Sequence, residues 1–173
     1  MELGQEDGFR QIFKENFPLL VRIAYNIVNN ESVCEELCQE AFIKYLGRSS
    51  PLPSAEETRY WLIRVVKNMC YNYVKRKNRE ARAYMRVLNE PALPEESGES
   101  GLLKKETHAL VRQALKKLPQ KLQLPLILKE YGELTYKEIG KILGISEGNV
   151  KVRIFRARAL LENLLGGEEL YVS

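Results

Sequence analysis

The sequence predicts an all-α protein made of two small helical domains that a flexible linker joins. Apolar residues recur at helical spacing through most of the 173 residues, and very few stretches alternate as a strand would. Serine or threonine followed three residues later by glutamate marks several helix starts. Residues 89–101 are rich in Pro, Gly, Ser and Glu and lack periodicity, which predicts an acidic linker between domains at residues 6–88 and 102–165.

Three helices are predicted in the first domain. The first covers residues 6–29 and contains Pro18, which is expected to kink it or split it. The second covers residues 32–46 and opens with a capping box in which Ser32 is the N-cap. Its polar outer side has no evident role in packing and, taken alone, is typical of a solvated face. The third helix begins at residue 54 and continues at least to residue 77.

The third helix carries an unusual mixture of cations, aromatic residues and amides. Between residues 59 and 82 there are eight lysines or arginines and one acid, Glu80. Asn68 and Asn72 lie one helical turn apart on the same face. Because aromatic rings stack on unpaired bases and cations neutralise phosphate, the mixture favours a site for opened or single-stranded nucleic acid. A core role for Trp61 is at least as compatible with its apolar neighbours.

The second domain is predicted to begin with a helix from residue 102 and another at residues 119–131. Pro125 lacks an amide hydrogen, so it is expected to kink that second helix or to move its start to about Leu122. Residues 134–158 then read as two short helices separated by a tight turn, the second of them basic. This stretch predicts a helix-turn-helix.

Local signals define the helix-turn-helix. Thr135 is placed to cap its first helix, with Glu138 reaching back to complete a capping box. Gly144 stands where the chain must leave that helix with positive φ, and Ser146 is placed to cap the next one. A basic helix alone is commonly a solvated face, but the doubly capped turn indicates binding to duplex DNA.

The second helix of this motif is predicted to be two-sided. One stripe, containing Val150 and Ile154, packs inward. The opposite face carries cations, an amide and apolar groups, which suit guanine edges or phosphates, adenine and thymine methyls in a major groove. The residues on and beside that face are Asn149, Lys151, Val152, Arg153, Phe155 and Arg156.

Composition limits the remaining function classes. The net charge is +4, no apolar run approaches the roughly 18 residues needed to span a bilayer, and the acidic first seven residues lack a signal-peptide core. These features predict a cytoplasmic protein. His108 is the single histidine and there is no glycine-rich phosphate loop, so the sequence gives no support for an enzyme.

Three cysteines raise the question of a metal or redox-sensing site. Cys34 and Cys38 lie one turn apart on a helix, and Cys70 is distant in sequence. Three cysteines are too few for a disulfide framework, and two thiols at that spacing make an incomplete zinc site. Buried free thiols are therefore the favoured interpretation, no metal or cofactor is predicted, and a redox role stays open.

The order of these segments resembles that of the extracytoplasmic-function sigma factors, which direct bacterial RNA polymerase to promoters. The resemblance covers roughly residues 9–165. Residues 36–44 look like the region 2.2 helix that docks on the β′ clamp coiled coil. Residues 61–72 resemble the segment that melts and reads the minus-ten element, and residues 134–158 look like region 4.2, which reads the minus-thirty-five element.

The resemblance implies three sets of site residues. The set implied for core polymerase is Glu36, Gln39, Glu40, Phe42 and Lys44. The set implied for the minus-ten element and melting is Trp61, Arg64, Lys67, Asn68, Tyr71, Asn72, Lys75 and Arg76, with the two asparagines capturing a flipped base. The set implied for the minus-thirty-five element is Asn149, Lys151, Val152, Arg153, Phe155, Arg156 and Arg158, with Arg153 and Arg158 as phosphate contacts.

The implied partners are polymerase core, through its β′ clamp helices and β flap, promoter DNA, and an anti-sigma factor that in this family is commonly membrane-linked. Neither a small-molecule substrate nor catalysis is implied. Two features depart from the family: residues 48–57 lack the usual Phe-Arg-Gly-like stretch, and Gly140 stands where many members have alanine, which is expected to loosen packing by about 0.5–1 kcal/mol. The alternative is a dimeric helix-turn-helix regulator that binds an operator.

Overall fold

The computed structural model describes residues 3–89 and 103–166, and that part of the chain contains seven α-helices and no strand. The all-α prediction is confirmed. Apart from Asn89, the predicted linker lies outside the described residues. The helices are α1 Leu3–Val28, α2 Glu31–Leu46, α3 Ala55–Leu88, α4 Leu103–Lys117, α5 Gln120–Glu130, α6 Tyr136–Leu143 and α7 Glu147–Gly166.

Helices α1, α2 and α3 pack against one another as an N-terminal bundle, whose core includes the fully buried Leu20, Ile23 and Leu62. α1 continues through Pro18 without a break, so the predicted split is wrong. Pro18 is exposed, and solvent can therefore hydrate the carbonyl of Lys14, which loses its helical partner to the proline ring.

The start of α2 differs from the prediction. Asn30 has an extended backbone, and its Oδ1 accepts a hydrogen bond from the amide of Val33 at 3.1 Å. Asn30 is therefore the N-cap, α2 begins at Glu31, and the capping box predicted for Ser32 is wrong. Both residues suit a cap, and the observed choice follows from the turn of backbone that brings the chain out of α1.

Phe42 is part of the N-terminal core and not of its surface. Its ring centroid lies 4.8 Å from that of Phe13, 6.1 Å from that of Phe9 and 6.3 Å from that of Phe17. The side chain is only 2% exposed. The prediction that Phe42 contacts the polymerase is therefore corrected, because α2 turns this residue toward α1.

The three cysteines are free and fully buried, as the favoured interpretation predicted. Burial raises the pKa of Cys34 to about 11 and that of Cys38 to about 12, and it raises the pKa of Cys70 as well. The three thiols interact electrostatically, which places them in one cluster. In the described residues no three His, Cys, Asp or Glu side chains are grouped so as to hold a metal ion.

We expect the native protein to react slowly with a thiol-specific chromogenic reagent at about pH 8, because protonated, buried thiols are poor nucleophiles. In the unfolded protein, the reagent should react rapidly with all three thiols. Because burial raises their pKa values, the protonated thiols of Cys34 and Cys38 stabilise the folded state. This contribution to the free energy of unfolding is complete below the ordinary thiol pKa of 9.0 and is lost as the pH rises toward 12. Rapid reaction of one thiol in the native protein would instead support a sensing role.

Helices α4 to α7 form a C-terminal bundle in which α7 packs against each of the other three. Leu115, Ile127 and Ile154 are among its buried residues. α5 begins at Gln120 and includes Pro125, which is buried, so the later start near Leu122 is wrong. Among the helices described, none is long and apolar enough to cross a membrane.

The helix-turn-helix is formed by α6 and α7, as predicted. The hydroxyl of Thr135 accepts from the amide of Glu138 at 3.2 Å, while the Glu138 carboxylate accepts from the amide of Thr135 at 2.7 Å. Gly144 has φ +68°, the left-handed conformation that favours glycine. The hydroxyl of Ser146 accepts from the amide of Asn149 at 3.1 Å and so caps α7.

Candidate nucleic-acid interfaces

The outer face of α7 is a continuous exposed surface. Val150, Ile154 and Ala157 hold the helix against the C-terminal core. Phe155 is 76% exposed and Val152 is 47% exposed on the opposite side. Large apolar groups kept in solvent beside cations are suited to base edges in a major groove. The predicted residues that are exposed here are Asn149, Lys151, Val152, Phe155 and Arg156.

Local contacts position three of the polar side chains on this surface. The Nε of Arg153 donates to the Oδ1 of Asn149 at 3.0 Å, which holds the amide of Asn149 across one helical turn. Lys151 is paired with Glu147 at 3.4 Å, and its ammonium lies 5.7 Å from the ring centre of Tyr136. These surface pairs are weak, so Lys151 remains available to a phosphate.

Arg158 occupies a different setting from its neighbours. Its Nη2 lies 2.7 Å from the Oε1 of Glu130, and this hydrogen bond raises the pKa of the guanidinium. The contact ties α7 to the end of α5. Arg158 is therefore exposed but already engaged within the C-terminal bundle, whereas Arg156, two residues earlier, is exposed and forms no ion pair among the described residues.

The second predicted surface runs along one side of α3. Asn68, Asn72, Lys75 and Arg76 are exposed, whereas Trp61, Arg64, Lys67 and Tyr71 are half-buried. The Nζ of Lys67 donates to the Oδ1 of Asn68 at 3.1 Å. Burial, and then the nearby charge of Arg64, lower the pKa of Lys67. The two predicted base-capturing amides are thus presented to solvent with cations beside them.

A cleft of about 690 Å³ lies along this side of α3. Asn68 and Asn72 line it together with Lys75, and Gln120 of α5 contributes from the C-terminal bundle. Two further cations that were not in the predicted set, Arg79 and Arg82, also line it. They extend the predicted surface toward the C-terminal end of α3. The sequence showed these cations but not that they face the same cleft as Asn68 and Asn72.

Trp61 lies at the edge of this surface and is covered on one side. Its ring centre is 6.0 Å from that of Tyr45 and 5.0 Å from the guanidinium carbon of Arg48. Arg48 comes from the loop after α2 and was not predicted as a site residue, because no local pattern links it to α3. The arrangement combines the core and surface roles that the sequence left open for Trp61.

Two members of the α3 set contact the C-terminal bundle. Arg64 donates from Nε to the carbonyl of Ile142 at 3.0 Å and from Nη2 to the carbonyl of Lys141 at 2.9 Å. The hydroxyl of Tyr71 donates to the Oε1 of Gln123 at 2.7 Å. The structure therefore brings α6 of the helix-turn-helix against the α3 surface, which the sequence did not predict.

The outer face of α2 is a third candidate surface. Glu36, Gln39, Glu40 and Lys44 are exposed, with Lys44 3.8 Å from Glu40. Ile43 is 67% exposed among them and was missed, because α2 carries apolar residues around most of its circumference. An exposed isoleucine with charged groups around it can form the apolar centre of a protein–protein contact that has a polar rim.

Comparisons with known proteins match both bundles. The family profile described as Sigma-70 region 2 matches residues 12–80, and that described as Sigma-70, region 4 matches residues 108–161. The ECF RNA polymerase sigma factor SigW of Bacillus subtilis is 26% identical over 94% of this chain and 91% of its own. The ECF RNA polymerase sigma-E factor of Escherichia coli is 29% identical over 74% and 71%.

Several solved structures share the fold, and two of them are complexes. The sigma factor RpoE, in complex with the anti-sigma factor NepR from Bartonella quintana, superimposes with a TM-score of 0.66 at 24% identity, covering 92% of this chain and 97% of that one. CnrH, in complex with the cytosolic domain of CnrY, gives a TM-score of 0.70 at 20% identity, covering 95% and 91%.

Proposed function

The chain belongs to the extracytoplasmic-function group of the sigma-70 family, and from that membership we infer how its three exposed surfaces divide the work of a sigma factor. As a sigma factor it associates with RNA polymerase and directs it to promoter DNA. The observation that carries the division is the presence of two separate cationic surfaces with different chemistry, one on α7 and one on α3. We propose that residues 6–88 and 102–165 form two domains, the first carrying the α3 surface and the second the α7 surface.

We propose that the outer face of α7 reads the minus-thirty-five element as a duplex. Its exposed groups include an amide, cations and two apolar side chains, the mixture by which a helix distinguishes base pairs in a major groove. Asn149, Val152, Phe155 and Arg156 are assigned to base edges. Lys151 and Arg153 are assigned to phosphates, and Arg158, held by Glu130, has a bracing role in addition to any phosphate contact.

We propose that α3 binds the minus-ten element once the strands have parted. Asn68 and Asn72 are exposed and line one cleft with cations on either side, which is the arrangement needed to hold an unpaired base and its backbone. Lys75 and Arg76 are assigned to phosphates. Trp61 and Lys67 support the surface at its edge, and Arg79 and Arg82 extend it.

The outer face of α2 is proposed to dock on the polymerase core. Ile43 supplies an exposed apolar anchor, and Glu36, Gln39, Glu40 and Lys44 form the polar rim. Phe42 supports this face from beneath and is not a contact. We also propose that the chain acts in the cytoplasm and has no catalytic activity of its own, because the polymerase carries out the chemistry.

An anti-sigma factor is proposed as a further partner. Both of the solved structures compared above are complexes, one of them with a named anti-sigma factor. The rival hypothesis, a dimeric operator-binding regulator, would use α7 but leaves the α3 cleft and the outer face of α2 without a role. The match of residues 12–80 to region 2 also favours a sigma factor.

Run-off transcription tests the proposal. Purified protein, polymerase core lacking its own specificity subunit and a chromosomal fragment library serve as the components. We expect specific transcripts only when both proteins are present, and their start sites should share two upstream elements. Stable binding to a symmetric site by the protein alone, with no transcripts from the mixture, would instead establish the regulator.

Replacing Arg156 with alanine tests the assignment of α7. We expect binding to the minus-thirty-five duplex to weaken by about 1–3 kcal/mol and discrimination to relax at one base pair, because an exposed guanidinium there would pair with a guanine edge. Arg158→Ala is the matched control on the same helix: any loss should be uniform across sequences. Fluorescence anisotropy with a set of single-base variants measures both, and unchanged base preference in Arg156→Ala would remove that residue from the reading set.

A further inference from the structure

We propose that the cavity lined by α3, α4, α5 and the turn between α1 and α2 is a binding site for an adenine nucleotide. It has a volume of about 700 Å³, which is within the usual range for small-molecule sites. The nucleotide is bound there and not converted, because none of the described lining residues is a carboxylate, a histidine or a cysteine. This ligand is additional to the proposed role in transcription initiation and does not depend on it.

The buried part of the cavity lining is mostly apolar. Ile27 and Val28 at the end of α1 line it together with Leu118, and all three are buried. The half-buried rings of Tyr71 and Tyr73 line it from α3. Aromatic rings stack on any nucleic acid base, since every base has a π face. This part of the cavity therefore suits a flat ring system such as a purine.

Carboxamides form most of the polar lining, and they come from both bundles. Gln123 is already engaged by hydrogen bonds to other residues. The side chains of Asn78, Gln113 and Gln120 make no hydrogen bond within the described part of the chain, so their amides are available to a ligand. A carboxamide presents a donor and an acceptor side by side. The carboxamides of the lining are Asn29, Asn30, Asn78, Gln113, Gln120 and Gln123.

Two lysines make the cavity attractive to phosphate. Lys77 lines it from α3 and Lys116 lines it from α4, so the two ammonium groups come from different bundles. Lys77 is paired with Glu80 at 3.8 Å, and an exposed pair of this kind is weak enough for a phosphate to compete with it. Gln113 lies one turn before Lys116 on α4, which places an amide and a cation on the same face of that helix. Ammonium groups bind phosphate as point charges.

The makeup of the lining favours adenine over guanine. Guanine presents two neighbouring acceptors, N7 and O6, which arginine or lysine reads best, whereas adenine presents the N7 acceptor beside the N6 amino donor and is matched by asparagine or glutamine. None of the described lining residues is an arginine. With Lys77 and Lys116 assigned to the phosphates, the groups left for the base are carboxamides. The cavity is therefore matched to an adenine base that carries phosphates.

Isothermal titration calorimetry with the full chain tests the site. Adenosine triphosphate is expected to bind at one site per chain, about tenfold more tightly than guanosine triphosphate or inorganic tripolyphosphate. Equal affinity for guanosine triphosphate would overturn the assignment of adenine. Equal affinity for tripolyphosphate would overturn the assignment of a nucleotide, because the cavity would then attract anions without recognising a base. No binding of adenosine triphosphate at about 1 mM would overturn the site itself.

Variants on both sides of the cavity locate the bound nucleotide. Lys77→Ala in α3 and Gln113→Ala in α4 change exposed residues that lie outside the proposed DNA and polymerase surfaces. Each is expected to weaken binding of adenosine triphosphate by about five- to tenfold. Lys75→Ala is the matched control, because Lys75 is an exposed lysine of α3 that lines the neighbouring cleft and not this cavity. Loss of binding in Lys75→Ala, with full affinity in the other two variants, would place the nucleotide on the α3 surface and overturn the proposal. Circular dichroism verifies that each variant is folded.

Discussion

Replacing Phe42 with alanine is expected to lower the free energy of unfolding of the N-terminal bundle by about 3–5 kcal/mol. The ring is 2% exposed and meets three other phenylalanines of α1, so its removal leaves a cavity that a rigid helix pair cannot close. Trp61 is the only tryptophan and lies in this bundle, so its fluorescence during urea denaturation reports on the region that is changed.

The neighbouring Ile43 supplies the control for Phe42. Its side chain is 67% exposed, so Ile43→Ala should change stability by less than about 0.5 kcal/mol. The same substitution should weaken binding to polymerase core by about five- to tenfold if Ile43 is an interface anchor. The pair therefore separates folding from docking on adjacent residues of α2. A small stability loss in Phe42→Ala would show that the aromatic cluster is not the core of this bundle.

Replacing Gly140 with alanine is expected to destabilise the helix-turn-helix by about 2–3 kcal/mol and to abolish most duplex binding. A Cβ at this position would lie 2.7 Å from the carbonyl oxygen of Ile145, a backbone atom that cannot move without moving the turn. The carbonyl of Gly140 also accepts from the amides of Gly144 and Ile145, so the same backbone holds the turn closed. The sequence-based expectation that this glycine merely loosens packing is therefore reversed.

Gly148 is the matched control for Gly140. It also lies in a helix of the motif, but a Cβ there would meet no heavy atom within 4 Å. Gly148→Ala should stabilise the protein by about 0.5–1 kcal/mol by removing backbone freedom from the unfolded chain. Thermal unfolding followed by circular dichroism compares the two variants. Equal, small effects would mean that the turn has room for a methyl group and that the short contact has no energetic consequence.

The elements that the sequence predicted well are those with local signals. The capping box of Thr135, the left-handed Gly144 and the cap of Ser146 each depend on residues within one turn, so the helix-turn-helix and its outer face could be predicted before the structure. The start of α2 could not, because Asn30 and Ser32 are both good caps and the path of the chain out of α1 decides between them.

The candidate site was predictable only in part, because only features that depend on residues close in sequence leave a local signal. Helical spacing places Asn68 and Asn72 on one face of α3, and both are exposed in the structure. Helical spacing does not show which side of α2 is buried, because apolar residues surround that helix and the buried Phe42 is followed by the exposed Ile43. The hydrogen bond from Arg64 to Ile142 joins residues 78 apart in sequence and leaves no local pattern from which it could be inferred.

The contact of Arg64 and Tyr71 with the C-terminal bundle limits how far apart the two bundles can bind on one DNA molecule. A chain of this size folded as one compact body has a radius of gyration of about 16 Å. Two promoter elements centred about 25 base pairs apart are separated by about 85 Å along B-form DNA. Thirteen residues join Asn89 to Leu103, and fully extended they reach about 45 Å. Together with the widths of the two bundles, this reach is enough to span the distance between the elements. A molecule held by Arg64 and Tyr71 can reach one element at a time, so simultaneous occupancy of both requires those hydrogen bonds to be broken.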